Sequence, residues 1–125
     1  MSMSSSIDVL LKEVLRRNST DIAGIMISSK DGLPIGYRFS DEGLDPGSVA
    51  AYMSALAEDQ RKVIGQLGLG KVKTTIIEAE KGKLVVKEEG DHLIAVIAYP
   101  DANLGLIMVE MNRLSENLKK AMNPR

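Results

Sequence analysis

The stretch IAGIMISSKDGLPIGYRF, Ile22 to Phe39, holds two strands and the turn between them. Its first half, Ile22-Ala23-Gly24-Ile25-Met26-Ile27, is apolar with no polar face, the pattern of a central strand covered on both sides. Its second half alternates at Leu33, Ile35, Tyr37 and Phe39 and carries Pro34 near its start. Proline has no N–H to give a strand ladder, so this strand belongs at or near a sheet edge. Asp31-Gly32 supplies the turn, because this pair favours the positive φ angles of a tight hairpin. One hairpin of this kind predicts a sheet with helices packed on it.

Upstream, Ile7, Leu10, Leu11, Val14 and Leu15 recur at the spacing of an amphipathic helix. Ser4-Ser5-Ser6 are its N-cap candidates, Asp8 is expected in the first turn, and Arg16 and Arg17 in the last, where cations suit the helix dipole. Asn18 to Asp21 ends it. Downstream, Ser40 to Gly47 is polar and turn-rich, and Asp45-Pro46 starts a helix running to about Gln66. That helix carries Val49, Tyr52, Met53, Leu56, Val63 and Ile64, followed by Leu67, with small residues at Ala50, Ala51, Ala55 and Ala57. Its apolar arc is wider than one sheet-facing stripe needs, which predicts a second surface against its outer side.

Val72 to Glu80 is β-branched and reads as a strand, Lys81-Gly82 as a turn, and Lys83 to Lys87 as the returning strand. Glu88-Glu89-Gly90-Asp91 reads as another turn and His92 to Tyr99 as a second central strand. Leu104, Ile107, Met111, Leu114, Leu118 and Met122 then recur at helical spacing, Lys119 and Lys120 close the helix, and Asn123-Pro124-Arg125 stops it. The order α-β-β-α-β-β-β-α predicts an α+β fold, a five-stranded antiparallel sheet with three helices, in a single domain over residues 1–125.

The 125 residues include 16 basic and 17 acidic ones, for a formal net charge of -1. That balance gives no global attraction to nucleic acid or anionic lipid, and an aromatic content of 3% is too low for base-stacking platforms. There is no cysteine, hence no disulfide, thiolate metal site or cysteine nucleophile. MSMSSS lacks the pattern of a signal peptide, and no apolar run nears the roughly 20 residues of a membrane span. The expectation is a soluble, cytoplasmic protein without direct membrane insertion.

Candidate chemistry is sparse. His92 is the single histidine and has no nucleophile nearby in sequence, so its expected role is structural. Glu88, Glu89 and Asp91 beside it lack metal-loop spacing and are expected as a solvated turn. Gly65, Gly68 and Gly70 in GQLGLG follow a helix and open a strand, the reverse of a phosphate-binding loop, and read as a helix stop. Asp31 is expected to make the turn. Arg16, Arg17, Arg38 and Arg61 each have the chemistry of an arginine finger, as any exposed arginine does. Met26, Met111 and Met122 fall on core stripes, Met53 suits an interface, and Lys81, Lys83 and Lys87 form a solubilising hairpin tip. No catalytic residue, metal or cofactor is expected.

With its DGLP turn after the first strand, this order of elements resembles the Roadblock/dynein light chain family, and more loosely the longin-like domains. The matching pieces are GIMISSKDGLPIG, SVAAYMSALAEDQRKVIGQLG, EEGDHLIAVIA and LGLIMVEMNRL, spread over about Ile7 to Met122. The resemblance implies homodimers or heterodimers whose middle helices pair and whose following strands join two sheets into one. It also implies a non-enzymatic platform for Ras-like small GTPases, or a light chain or scaffold in larger complexes.

The residues themselves favour pairing. The strand over Val72 to Glu80 is β-branched, and the resemblance implies an edge position for it, where an unpaired strand is an aggregation hazard unless covered. A twofold dimer would pair it and bury the spare face of the middle helix in an interface of more than roughly 1,000 Å². The expected interface is Tyr52, Ala55, Leu56, Asp59, Val63, Val72, Thr74 and Ile76. The expected function is a homodimer that binds a Ras-like small GTPase and biases its nucleotide state or location; the alternatives are a purely structural scaffold and a ligand-sensing domain.

Overall fold

The computed structural model describes residues 3–122, and the predicted stop at Asn123-Pro124-Arg125 lies outside them, as do the side chains of Met3, Ser4, Ser5 and Met122. The elements follow the expected order: α1 (Met3–Arg17), β1 (Ile22–Ser29), β2 (Pro34–Phe39), α2 (Pro46–Gln66), β3 (Thr74–Ala79), β4 (Gly82–Glu89), β5 (His92–Ala98) and α3 (Leu104–Met122). The five strands form one antiparallel sheet in the order β2-β1-β5-β4-β3. The proline-bearing β2 is one edge and β3 the other, while the two apolar runs, β1 and β5, are neighbours inside.

β1 and β5 are apolar along most of their length because both faces are covered, by different helices, while β4 is apolar only at its centre, Leu84-Val85-Val86. Ile25 and Ile27 of β1, Ile94 and Val96 of β5 and Val85 of β4 join Ile7 and Leu11 of α1 and Ile107, Met111, Leu114 and Leu118 of α3. On the opposite face Met26, Leu93, Ala95 and Val86 join Val49, Ala50 and Met53 of α2. Two helices therefore cover one face and a single helix covers the other. Met53 is 8% exposed and belongs to this core, not to an interface. Its place between Val49 and Ala57 on the sheet-facing stripe settles the matter.

Local signals account for most boundaries. Gly32 alone takes the positive φ of the hairpin, at 91°, and the turn is closed by Ser29 N–H to the Leu33 carbonyl at 2.9 Å. Asn18 ends α1 by donating its side-chain amide to the Val14 carbonyl at 2.8 Å, while its own carbonyl accepts from Ile22 N–H at 2.8 Å. Asn103 caps α3 by accepting from Leu106 N–H at 3.1 Å, and its own N–H is held by Asp21 at 3.2 Å. Two expectations fail at α1. The helix already runs from Met3, so Ser6 lies inside it, and Asp8 falls beyond the first turn. Asp8 is drawn instead to Arg38 of β2 at 2.6 Å, an attraction across the fold that local sequence does not show.

Asp45 caps α2, accepting from the Ser48 hydroxyl at 2.8 Å and the Ser48 backbone N–H at 2.9 Å. These two bonds, the hydroxyl's first, hold its carboxyl below its ordinary value of 3.8. A depressed folded-state value gives stability that is complete above the unfolded-state value and lost as pH falls through the folded one. Asp45→Ala is therefore expected to lower the thermal midpoint at neutral pH. The gap between variant and wild type should close as pH drops below about 4. Thermal unfolding of both at neutral and acid pH reads this; a gap that widens in acid would disprove the cap.

Candidate protein-interaction surface

α2 is the longest helix and the least covered. Of its 21 residues only Val49, Ala50 and Met53 are buried, all in its first half. Its outer face carries Tyr52 at 66% exposure, Ala55, Asp59 and Val63 at 58%, and just beyond its end Leu67 at 64% and Leu69 at 68%. Most helical stability in proteins comes from packing an apolar face, and here the second half of a long helix has no fully buried residue.

The expected interface residues fall into two groups. Tyr52, Ala55, Asp59 and Val63 recur along the outer face of α2, with Leu56 half-buried at its margin. Val72 and Thr74 are half-buried before and at the start of β3, and Ile76 is 45% exposed. Residues directly opposed in an antiparallel pair share a sheet face. Ile76 opposes Val85 and so lies on the α1 and α3 side; Ile77 opposes Leu84 and lies on the α2 side, 40% exposed. Ile77, missed in the sequence reading, is thus the β3 residue that extends the apolar surface of α2. Register against β4 would have shown it, since the Lys81-Gly82 turn fixes which residues oppose. β3 itself spans Thr74–Ala79, shorter at both ends than expected, and is tied to α2 by Thr75 Oγ1 donating to Gln60 Oε1 at 2.5 Å.

Other candidates are bound within the chain. Arg16 pairs with Glu13, Arg17 with the buried Glu110 at 2.9 Å, Arg38 with Asp8, and Arg61 with Glu58 and Glu88. Each candidate finger is thus committed to a carboxylate of its own chain. Glu88 and Glu89 are strand residues of β4, not turn residues: Glu88 holds Lys30 and Arg61, each at 3.5 Å, and Glu89 accepts from Ser115 and lies 3.7 Å from Lys119. Lys83 and Lys87 likewise leave the predicted hairpin tip, Lys83 donating to the Pro100 carbonyl and Lys87 to Asn112 at 3.0 Å. His92 opens β5 opposite Ser29 and Glu89, and no group of three or more potential metal ligands occurs among the described residues. Asp31 is exposed beside α2, where Ser54 Oγ donates to the Lys30 carbonyl at 2.6 Å and pins the hairpin to the helix.

The Roadblock/LC7 domain model matches residues 8–98, covering the sheet and α2 with most of α1. The chain belongs to the Roadblock/LC7 family. An uncharacterized protein of Methanocaldococcus jannaschii is 33% identical over 107 residues, spanning 85% of this chain and 93% of its own length. Among solved structures, Myxococcus xanthus MglB superposes with a TM-score of 0.88 at 16% identity, over 97% of this chain and 90% of its own. The gliding protein MglB of Thermus thermophilus superposes with a TM-score of 0.86 at 17% identity, over 100% of this chain and 94% of its own. At such identities the likeness is one of fold, and the Roadblock order of three helices and five strands is the one described above. Among the described residues no helix is long and apolar enough to cross a membrane.

Proposed function

We propose that this Roadblock/LC7 chain acts as a homodimer without catalysis of its own, presenting a platform to a Ras-like small GTPase and biasing its nucleotide state or location. The observation that carries the reading is the uncovered outer face of α2, with Tyr52, Val63 and Leu67, beside the open edge of β3. A twofold axis at this corner would lay α2 against α2 and β3 against β3, closing the sheet edge and the helix face together. The interface residues proposed are those expected from sequence, Tyr52, Ala55, Leu56, Asp59, Val63, Val72, Thr74 and Ile76, with Ile77 added.

Family membership supports the partner class. A composite surface from two protomers is broad enough to meet the switch regions of a GTPase, whose order differs between nucleotide states, so such a platform would favour one state. The test is capture from native lysate on the immobilised protein, run in parallel with GDP and with a non-hydrolysable GTP analogue and read by mass spectrometry. Recovery of a small GTPase in one state only is the expected result. Equal recovery in both, or large structural proteins alone, would leave a scaffold in its place.

A further inference from the structure

Between the end of α2 and the start of β3 the chain peels away from the sheet. In the β3–β4 register Thr74 is the first β3 residue paired, opposite Lys87, so Glu88 and Glu89 of β4 have no β3 partner. Gly68 and Gly70, with φ of 70° and 84°, let the connection turn outward. The gap left is a groove of about 840 Å³ that crosses the end of the sheet, from Arg61 and Glu88 on the α2 side to Lys87 and Asn112 on the α3 side.

Its charge is unlike that of the whole molecule. Lys30, Arg61, Lys71, Lys73 and Lys87 line it with one carboxylate, Glu88, in a chain of formal net charge -1. Glu88 is already held between Lys30 and Arg61 at 3.5 Å each. Lys71 and Lys73 are exposed and in no ion pair among the described residues. Cations gathered in a concave, partly walled site repel one another and focus a positive field, a cost that an anionic occupant relieves.

The shape and lining select among anions. No aromatic side chain lines the groove, so it offers no platform for nucleic-acid bases. Its cations come from the α2 side (Lys30, Arg61), the approach to β3 (Lys71, Lys73) and the α3 side (Lys87), and not from one cluster around a point as a compact phosphate would favour. A concave channel does not present its charges to the plane of a membrane. An extended chain, in contrast, fits a channel that runs past an unpaired stretch of β4. We infer that this groove docks an extended acidic segment of a partner protein, its carboxylates on Lys71 and Lys73. The inference does not require the nucleotide-state reading; Val72 and Thr74 of the lining also belong to the proposed dimer interface, so binding is read together with the oligomeric state.

The probe is a fluorescein-labelled peptide of alternating glutamate and alanine about eight residues long, ~27 Å when extended, titrated with the full chain and followed by fluorescence anisotropy. Binding is expected to weaken at least about tenfold between roughly 0.05 M and 0.3 M salt, as screening shortens. Lys71→Glu with Lys73→Glu should weaken it by at least about tenfold. Lys12→Glu with Lys81→Glu, the same charge change on α1 and at the far end of β3, should leave it within about twofold. Light scattering on each variant keeps a changed oligomeric state from being mistaken for a lost groove. Absence of binding, or equal loss in both double variants, overturns the proposal. Tighter binding of a single-stranded oligonucleotide or of tripolyphosphate than of the peptide overturns the occupant.

Discussion

Replacing Tyr52 and Val63 together by glutamate is expected to turn the proposed dimer into a monomer while each chain stays folded. Both side chains are more than half exposed on the outer face of α2 and take no part in either core cluster. Glutamate is a good helix former, so the helix loses little; Val63→Glu adds only a like-charge pair with Asp59, worth a few tenths of a kcal/mol. In a twofold interface each substitution occurs twice, which would bring four carboxylates into a surface that excludes water. An affinity loss of at least about 100-fold, roughly 2.7 kcal/mol, follows. Size-exclusion chromatography with light scattering over a dilution series measures it, and far-ultraviolet circular dichroism checks the fold. A double variant that remains dimeric would move the interface away from α2. A wild type that is monomeric at about 100 µM would remove the dimer, and with it the composite platform.

The consequence for stability is linked by mass action. If the second half of α2 is covered only in the dimer, its ordering contributes to dimer stability and the thermal midpoint of the wild type should rise with concentration. Leu67 and Leu69, exposed in the connection after the helix, lie where that covering would extend.

The fold was legible wherever a local signal and its structural outcome involve the same few residues. Asp45-Pro46 announced α2 to the residue, because a cap acts within one turn. Pro34 placed β2 at an edge, because a missing donor excludes a strand from the interior. The apolar runs of β1 and β5 gave covered strands, but not which helix lies on which face, since that depends on connection geometry. Met53 shows the difference: its chemistry suits an interface or a core equally, and only its phase against Val49 and Ala50 on the sheet-facing stripe decides. Asp8 and Arg38, thirty residues apart, and Arg17 and Glu110, on α1 and α3, meet only through the fold. The basic groove is the extreme case. Its cations come from the β1–β2 turn, α2, the approach to β3 and from β4, which only the fold brings together.

Gly36→Val is expected to lower the thermal midpoint by roughly 10 °C, the largest effect predicted for the isolated fold. Gly36 sits in β2 opposite Ile27, where α1 crosses the sheet. A Cβ there would lie 2.7 Å from Ile7 Cγ2 and 3.2 Å from Leu11 Cδ1, and both side chains are fully buried, so either must shift within a close-packed core. Two effects compete. Removing a glycine from a strand recovers roughly 0.5–1 kcal/mol of backbone entropy. Overpacking a close-packed core costs about 1–3 kcal/mol, at the upper end for a β-branched side chain that cannot rotate away. The net loss of about 2 to 2.5 kcal/mol converts at roughly 4 °C per kcal/mol for a domain of this size. Gly65→Ala provides the opposite sign from the same chemistry. Nothing lies within 4 Å of its added Cβ, and it occupies a helical position in α2, so alanine should stabilise by roughly 0.5–1 kcal/mol. Calorimetry on the two variants separates backbone entropy from packing, since both lose a glycine and only one gains a clash. Midpoints that shift in the same direction would mean that the close approach of α1 to β2 is not what glycine provides at position 36.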